Sequence, residues 1–326
     1  MSDNNKNRFY RIVLCGMVLG LSCHKATAAS FETKGEKTTV YMAIGQTEVK
    51  ANELVYGQPS TYPTDYKLSH LIWQTRSAPV LTAGLNLSLS KYYTFNIESK
   101  FALKESKSIM DDYDWLYTNT SDWSHWSHHD DTILTESGSL DVNFDFNLLG
   151  KKKNMFQLLL GYKEELWAWK AHGGTYIYST TSTNKFRDLS GSFTPGQEVI
   201  RYRQNFSMPY LGLKFNTKFN KWNFNLQYKY SNQVDVVATD HHVLRNLLFE
   251  DSYEKGKMSA FKMSAGYQLS KNFDLNVIYD VQVYKEVRGN TLYRNASTGA
   301  ILGRCINCAG ADNTSNTLSI GAMYHY

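Results

Sequence analysis

Along much of the chain, apolar and polar residues alternate one for one. Leu140, Val142, Phe144, Phe146 and Leu148 are interleaved with Asp141, Asn143, Asp145 and Asn147. Trp222, Phe224, Leu226, Tyr228 and Tyr230 are interleaved with Asn223, Asn225, Gln227 and Lys229, and Leu318, Ile320, Ala322, Tyr324 and Tyr326 share one face at the C-terminus. A period of two is that of a strand with two unlike faces. In a soluble sandwich the polar face meets water and the apolar face a core. In an outer-membrane barrel the apolar face meets lipid and the polar face lines the lumen.

Three features select the barrel. The last strand closes on an aromatic residue, which resembles the assembly signal of bacterial outer-membrane barrels. Short polar turns (90–91, 150–154, 220–221, 270–272) take turns with long polar loops, the asymmetry between periplasmic and extracellular ends. Helical periodicity that could cover a soluble sheet is missing. The fold class expected is therefore all-β, a transmembrane antiparallel up-and-down β-barrel of about ten strands. The predicted spans are 38–55, 66–89, 92–107, 132–149, 155–170, 198–219, 222–240, 252–269, 273–288 and 316–326. Most exceed the ~9–11 residues that cross a bilayer, so the barrel should project above the outer leaflet.

Composition narrows the picture further. No window past the N-terminus holds the ~20 apolar residues of a spanning helix. Five prolines exclude collagen, and 23 Tyr, 16 Phe and 7 Trp exclude disorder. Lys6, Arg8 and Arg11 precede an apolar run from Ile12 to Leu21, followed by Ala26-Thr27-Ala28, the plan of a secretory signal peptide over residues 1–28. Its removal takes away four basic and one acidic side chain, so the net charge falls from +5 to +2. Nucleic acid is not an expected partner of such a chain. Residues 29–326 then form a single barrel domain. Cys305 and Cys308 remain in the exported chain and are expected to close a local disulfide.

The chemistry sits at the extracellular ends of two predicted strands. Asp112 and Asp114 are two apart, hence on one face, and counting back through Lys104, Lys100, Glu98 and Asn96 makes that face luminal. Two close carboxylates cannot both be comfortably ionised, so one can hold a proton. Asp240 and His242 are also two apart, suiting a carboxylate that orients an imidazole able to deprotonate water. Their even numbers match outward Trp222 to Tyr230, so a β-bulge between Tyr230 and Asp240 is required to turn them inward. Without it, His241 would be the inward histidine. His128 and His129 face opposite ways and are expected to be solvated loop residues; no metal site is expected.

These residues stand in a wider resemblance. Gly173-Gly174-Thr175-Tyr176-Ile177-Tyr178-Ser179, Phe186-Arg187-Asp188, Gly191-Ser192-Phe193, and Phe206, Met208-Pro209-Tyr210 with Gly212-Leu213 resemble the omptins, outer-membrane endopeptidases of Gram-negative bacteria. The stretch from Gly161-Tyr162-Lys163-Glu164 to Gly174 is similar to an omptin signature. The resemblance implies an aspartate pair facing an aspartate–histidine pair across a water, carried here by Asp112, Asp114, Asp240 and His242. It implies peptide or protein substrates with basic residues, held by an acidic pair. Glu53 matches one member and shares the luminal face of Tyr41, Ala43 and Thr47, while the other position is Ala238. It also implies outer-membrane lipopolysaccharide as a lipid partner and activator, with no other cofactor. Tyr162 and Glu164 match that site, Leu166 and Asn205 replace arginines, and Arg201 and Arg203 share the face of Asn205 as candidates to take over. Glu164 is expected to pair with Arg203.

Loop 108–131 holds six aspartates and no Lys or Arg, which attracts cationic peptides. The alternative reading is a catalytically silent barrel used as an adhesin, with Trp115, Trp123 and Trp126 as its contact surface. A passive pore is disfavoured because luminal Lys, Glu and Asp side chains would fill a ten-strand barrel.

Overall fold

The computed structural model describes residues 38–326 apart from 59, 152 and 153. The expected signal peptide lies outside the described residues. Thirteen strands form one antiparallel sheet: β1 (Thr38–Tyr56), β2 (Lys67–Ser88), β3 (Tyr93–Ala102), β4 (Ser106–Asp114), β5 (His125–Lys151), β6 (Asn154–His172), β7 (Thr175–Tyr178), β8 (Leu189–Ser192), β9 (Glu198–Phe219), β10 (Trp222–His242), β11 (Leu247–Gln268), β12 (Phe273–Asn295) and β13 (Ile301–His325). Each long strand pairs with its neighbour in the chain, and β1 pairs with β13 from Thr39↔His325 to Val55↔Ala309, which closes the sheet. β3 and β4 are two parts of one stave, broken at 103–105, and both lie between β2 and β5. The barrel thus has ten staves, with the β7–β8 hairpin added at one rim.

The lower wall is apolar outside and polar inside. Met42 and Ile44 on β1, Leu211 and Leu213 on β9, Trp222 to Tyr230 on β10 and Leu318 and Ile320 on β13 stand exposed on the outer face. At ~3.4 Å per residue and a tilt near 40°, the nine residues from Trp222 to Tyr230 make a band roughly 20–25 Å tall, the height of a lipid-facing girdle. Higher up, the outward positions become Gln46, Glu48 and Lys50 on β1, and Asn205, Arg203 and Arg201 on β9. Those positions face water.

Inside the band, ion pairs fill the lumen: Lys262–Glu98 and Lys229–Asp141 at 2.5 Å, Lys163–Glu165 at 2.7 Å, Lys214–Asp145 at 2.8 Å and Lys100–Asp280 at 3.4 Å. The space left among Glu98, Asp141, Lys163, Lys229 and Asp280 is about 20 Å³, room for about one water. Above this plug an aromatic floor begins. Trp73 stacks on Tyr202 at 5.5 Å, and Trp169 lies 6.1 Å from Trp73 and 6.3 Å from Trp167. Such pairs add ~0.5–1.5 kcal/mol each beyond their buried area, which makes a stiff base for whatever stands on it.

Candidate active site

The groups above the floor come from several staves and from the β7–β8 hairpin. On β4, Ser106, Ser108 and Met110 are buried, so the inward phase is even and carries on to Asp112 and Asp114. β2 holds Asp112 in place: the Ser69 hydroxyl donates to Asp112 Oδ1 at 3.2 Å, and Ser69 is the strand partner of Asp114. Burial, then Asp114, push the Asp112 carboxyl well above the ordinary carboxylate range, and burial also raises Asp114. This pair therefore retains a proton to higher pH than free carboxyls do.

On β10 the expected bulge is present. Tyr230 pairs with Leu211 but Asp235 with Ser207, so five residues of β10 oppose four of β9. The inward set passes from Gln227 and Ser231 to Val234, Val236, Ala238 and Asp240, and the outer girdle of even residues ends at Tyr230. Asp240 is 2% exposed and its Oδ2 lies 2.6 Å from His242 Nε2. His242, rather than His241, is thus the histidine beside the carboxylate. Burial pulls the His242 imidazole down, but the charge and hydrogen bond of Asp240 outweigh it and hold the imidazole above its ordinary value. With Nε2 against Asp240, the nitrogen left to take a proton is Nδ1. Asp112 also stabilises the imidazolium, and His242 in turn eases the Asp112 charge, so the two pairs share one field.

Glu53, on β1, is 3% exposed with Oε2 unpartnered. Burial, then Asp240, Asp251 and Asp112, raise it well above the usual range. Four further groups at this level were not singled out in the sequence. Burial and then Asp112 and Asp114 push Tyr178 up to about 12, and His125 and Arg245 ease the charge on Asp114. Asp251, on β11, is raised to about 6 by burial and then by Asp240. Asp251 was missed because the predicted strand began one residue later, at Ser252. The other three lie at the rim without periodicity: His125 opens β5, Tyr178 ends β7 of the hairpin, and Arg245 sits in the turn after β10.

Two sequence expectations are corrected. Arg203 Nη1 pairs with Glu136 Oε2 at 3.1 Å, on β5, and not with Glu164; the register sets Glu164 opposite Leu140 and Ser207, four residues lower on β9 than Arg203. Tyr162 is exposed on the outer wall, and Arg201 pairs with Glu198. Nor are both rim histidines solvated. His129 is fully buried, with Nδ1 2.5 Å from the Gly173 carbonyl, because β5 extends up to His125 and turns it inward, whereas His128 faces out onto Asp111 at 2.8 Å. Cys305 and Cys308 are bridged, as expected. Trp123 lies 6.1 Å from Tyr113 and 6.3 Å from Trp126, with the Arg187 guanidinium 3.5 Å above its ring, so these faces are spent within the loop cluster.

His242 lies twelve residues past the girdle's last tyrosine, on the order of 30 Å up the strand after the tilt is allowed for. It lies at the rim opposite the short turns, hence on the exterior side of the membrane. The family model of the omptins matches residues 34–326. The plasminogen activator of Yersinia pestis is 27% identical over 88% of this chain and 89% of its own length. Protease 7 of Escherichia coli (strain K12) is 27% identical over 97% of this chain and 100% of its own. The crystal structure of outer membrane protease OmpT from Escherichia coli superposes with a TM-score of 0.84 at 25% identity, over 91% of this chain and all of that one. Barrel, rim and relatives agree: the chain belongs to the omptin family of outer-membrane proteases.

Proposed function

We propose that the protein is a surface endopeptidase that hydrolyses peptide bonds next to basic residues with a water activated by His242. The observation that carries this reading is the 2.6 Å contact of Asp240 Oδ2 with His242 Nε2, in one field with Asp112 and Asp114. A water held between His242 Nδ1 and the Asp112–Asp114 pair gives a proton to the imidazole as its oxygen attacks the scissile carbonyl. The carbonyl π pair moves onto oxygen, where the protonated member of the aspartate pair donates to it. Collapse of the tetrahedral species breaks the C–N bond, and the imidazolium returns its proton to the leaving amine. Asp240 keeps the imidazole oriented and stabilises its cation. A basic side chain of the substrate would enter beside Glu53, drawn by the acidic rim.

Cells or purified protein should cleave a peptide with an internal arginine, in EDTA and in serine-directed inhibitors. Asp112→Ala or His242→Ala should each cost ~10³-fold or more. Full activity in both variants would move the chemistry elsewhere. A wild-type protein that cleaves nothing would leave the adhesin reading standing. On the outer wall we propose that Tyr162, Arg201 and Arg203 meet lipopolysaccharide, with Arg203 steadied by Glu136.

A further inference from the structure

The pocket beside Glu53 has Ala238 where the resemblance calls for a second acid, and Ala238 is fully buried and offers no charge. A charge is available one strand over. The register of β10 on β11 sets Asp251 directly opposite Ala238. Directly opposed residues of an antiparallel pair share a face, with Cβ atoms ~5 Å apart. Asp251 therefore projects from nearly the same place on the wall, and the missing side chain at Ala238 leaves it room.

Its carboxyl is held. The Thr291 hydroxyl donates to Oδ1 at 2.6 Å and the Tyr253 hydroxyl to Oδ2 at 3.2 Å, while the side chain is 5% exposed. Around it, Glu53 Oε2 and Asp240 Oδ1 are buried without any hydrogen-bond partner among the described residues. Buried carboxyl oxygens are seldom left without donors, and three carboxyls that repel one another are eased by one cation carrying several N–H groups. We infer that Asp251, together with Glu53, binds the guanidinium or ammonium group of the substrate residue at the cleaved bond, taking over the place left empty at Ala238. Thr291 and Tyr253 are its positioning residues. This rests on the endopeptidase reading above and adds to it a specificity residue on a different strand.

The test uses the full-length purified protein and two peptides that differ only by arginine or norleucine at the cleaved position. Asp251→Asn should lower the Arg-to-norleucine ratio of kcat/KM by about 10-fold or more, chiefly through KM. Adding Ala238→Asp to that variant should restore most of the ratio. Equal losses on both peptides would mean that Asp251 acts only through Asp240, and would overturn the inference. So would an unchanged ratio when Glu53→Gln lowers it, and in that case the endopeptidase reading survives. Cleavage of neither peptide by the wild type overturns both together. Thr291→Val, which releases Oδ1 of Asp251, covers the case in which the asparagine variant does not fold: the ratio falls, or the inference does.

Discussion

Replacing Asp240 by asparagine exchanges one oxygen for an amide nitrogen in a side chain that is 3% exposed, so packing is nearly conserved and the electrostatics are not. Two opposite charges whose centres lie about 4 Å apart interact by about 4 kcal/mol at an effective dielectric of about 20. That attraction exists only while His242 carries the proton taken from water, so its loss falls on the transition state. At 1.4 kcal/mol per decade, kcat should drop by about 10³-fold. A second effect has a definite sign. His242 is held above its ordinary pKa by Asp240, and it must be unprotonated to accept a proton, so activity rises with pH through that value. Without the aspartate, only the smaller pull of Asp112 still opposes burial, and the rise should move to lower pH even as the plateau falls. Initial rates on an internally quenched arginine peptide, from about pH 5 to about pH 9, read both quantities at once. Circular dichroism checks the barrel. An asparagine variant with more than a tenth of wild-type activity and an unmoved acidic limb would refute the role assigned to this pair.

Other perturbations reach other parts of the molecule. Glu53→Gln should reduce the preference for arginine over a neutral residue by about 2 kcal/mol or more, read as a ratio of kcat/KM; an unchanged ratio would displace the pocket. Arg203→Ala should lower the activity gained when lipopolysaccharide is added to detergent-purified protein while the barrel stays folded. Equal wild-type activity with and without the lipid would remove that site. Gly174 has a φ of +103°, and a Cβ there would stand 2.3 Å from the His128 carbonyl oxygen, so Gly174→Ala should cost ~1–3 kcal/mol. The strain should spread into β7, which carries Tyr178 to the cleft, and appear as lower kcat/KM with an unshifted thermal transition of the barrel wall.

Where the wall meets lipid, sequence and structure agree closely, because membrane and lumen impose opposite chemistry on successive residues. β9 keeps the predicted ends, Glu198 and Phe219, and β10 starts at the predicted Trp222. Above the girdle the outer face meets water while the inner face mixes a buried aromatic floor with polar site groups, and alternation fades. β13 therefore begins at Ile301 where alternation suggested 316, through a run with Gly303, Asn307, Gly310 and Asn313. β11 begins at Leu247 where 252 was expected, and that shortfall hid Asp251. Asp112, Asp114, Asp240 and His242 were legible as pairs two apart, yet their convergence depends on pairing between distant strands. The Glu136 partner of Arg203 was illegible for the same reason: neither local spacing nor charge pattern states which stave lies beside which.

The bulge between Tyr230 and Asp235 gives β10 two independent phases. Below it the strand is read by lipid, above it by substrate, and a point substitution in either half leaves the other half's orientation untouched. Removing or adding one codon within that short stretch is a different kind of change. Deleting Asn232 or Gln233, the two adjacent outward residues, only restores plain alternation and keeps Asp240 and His242 inward. One added residue that the bulge does not absorb instead swings them to the outer surface, with Thr239 and His241 taking the cleft. A folded, exported and inert barrel therefore lies a single in-frame insertion away, so added length in this segment is a sharper indicator of lost activity than sequence drift anywhere along the same stave.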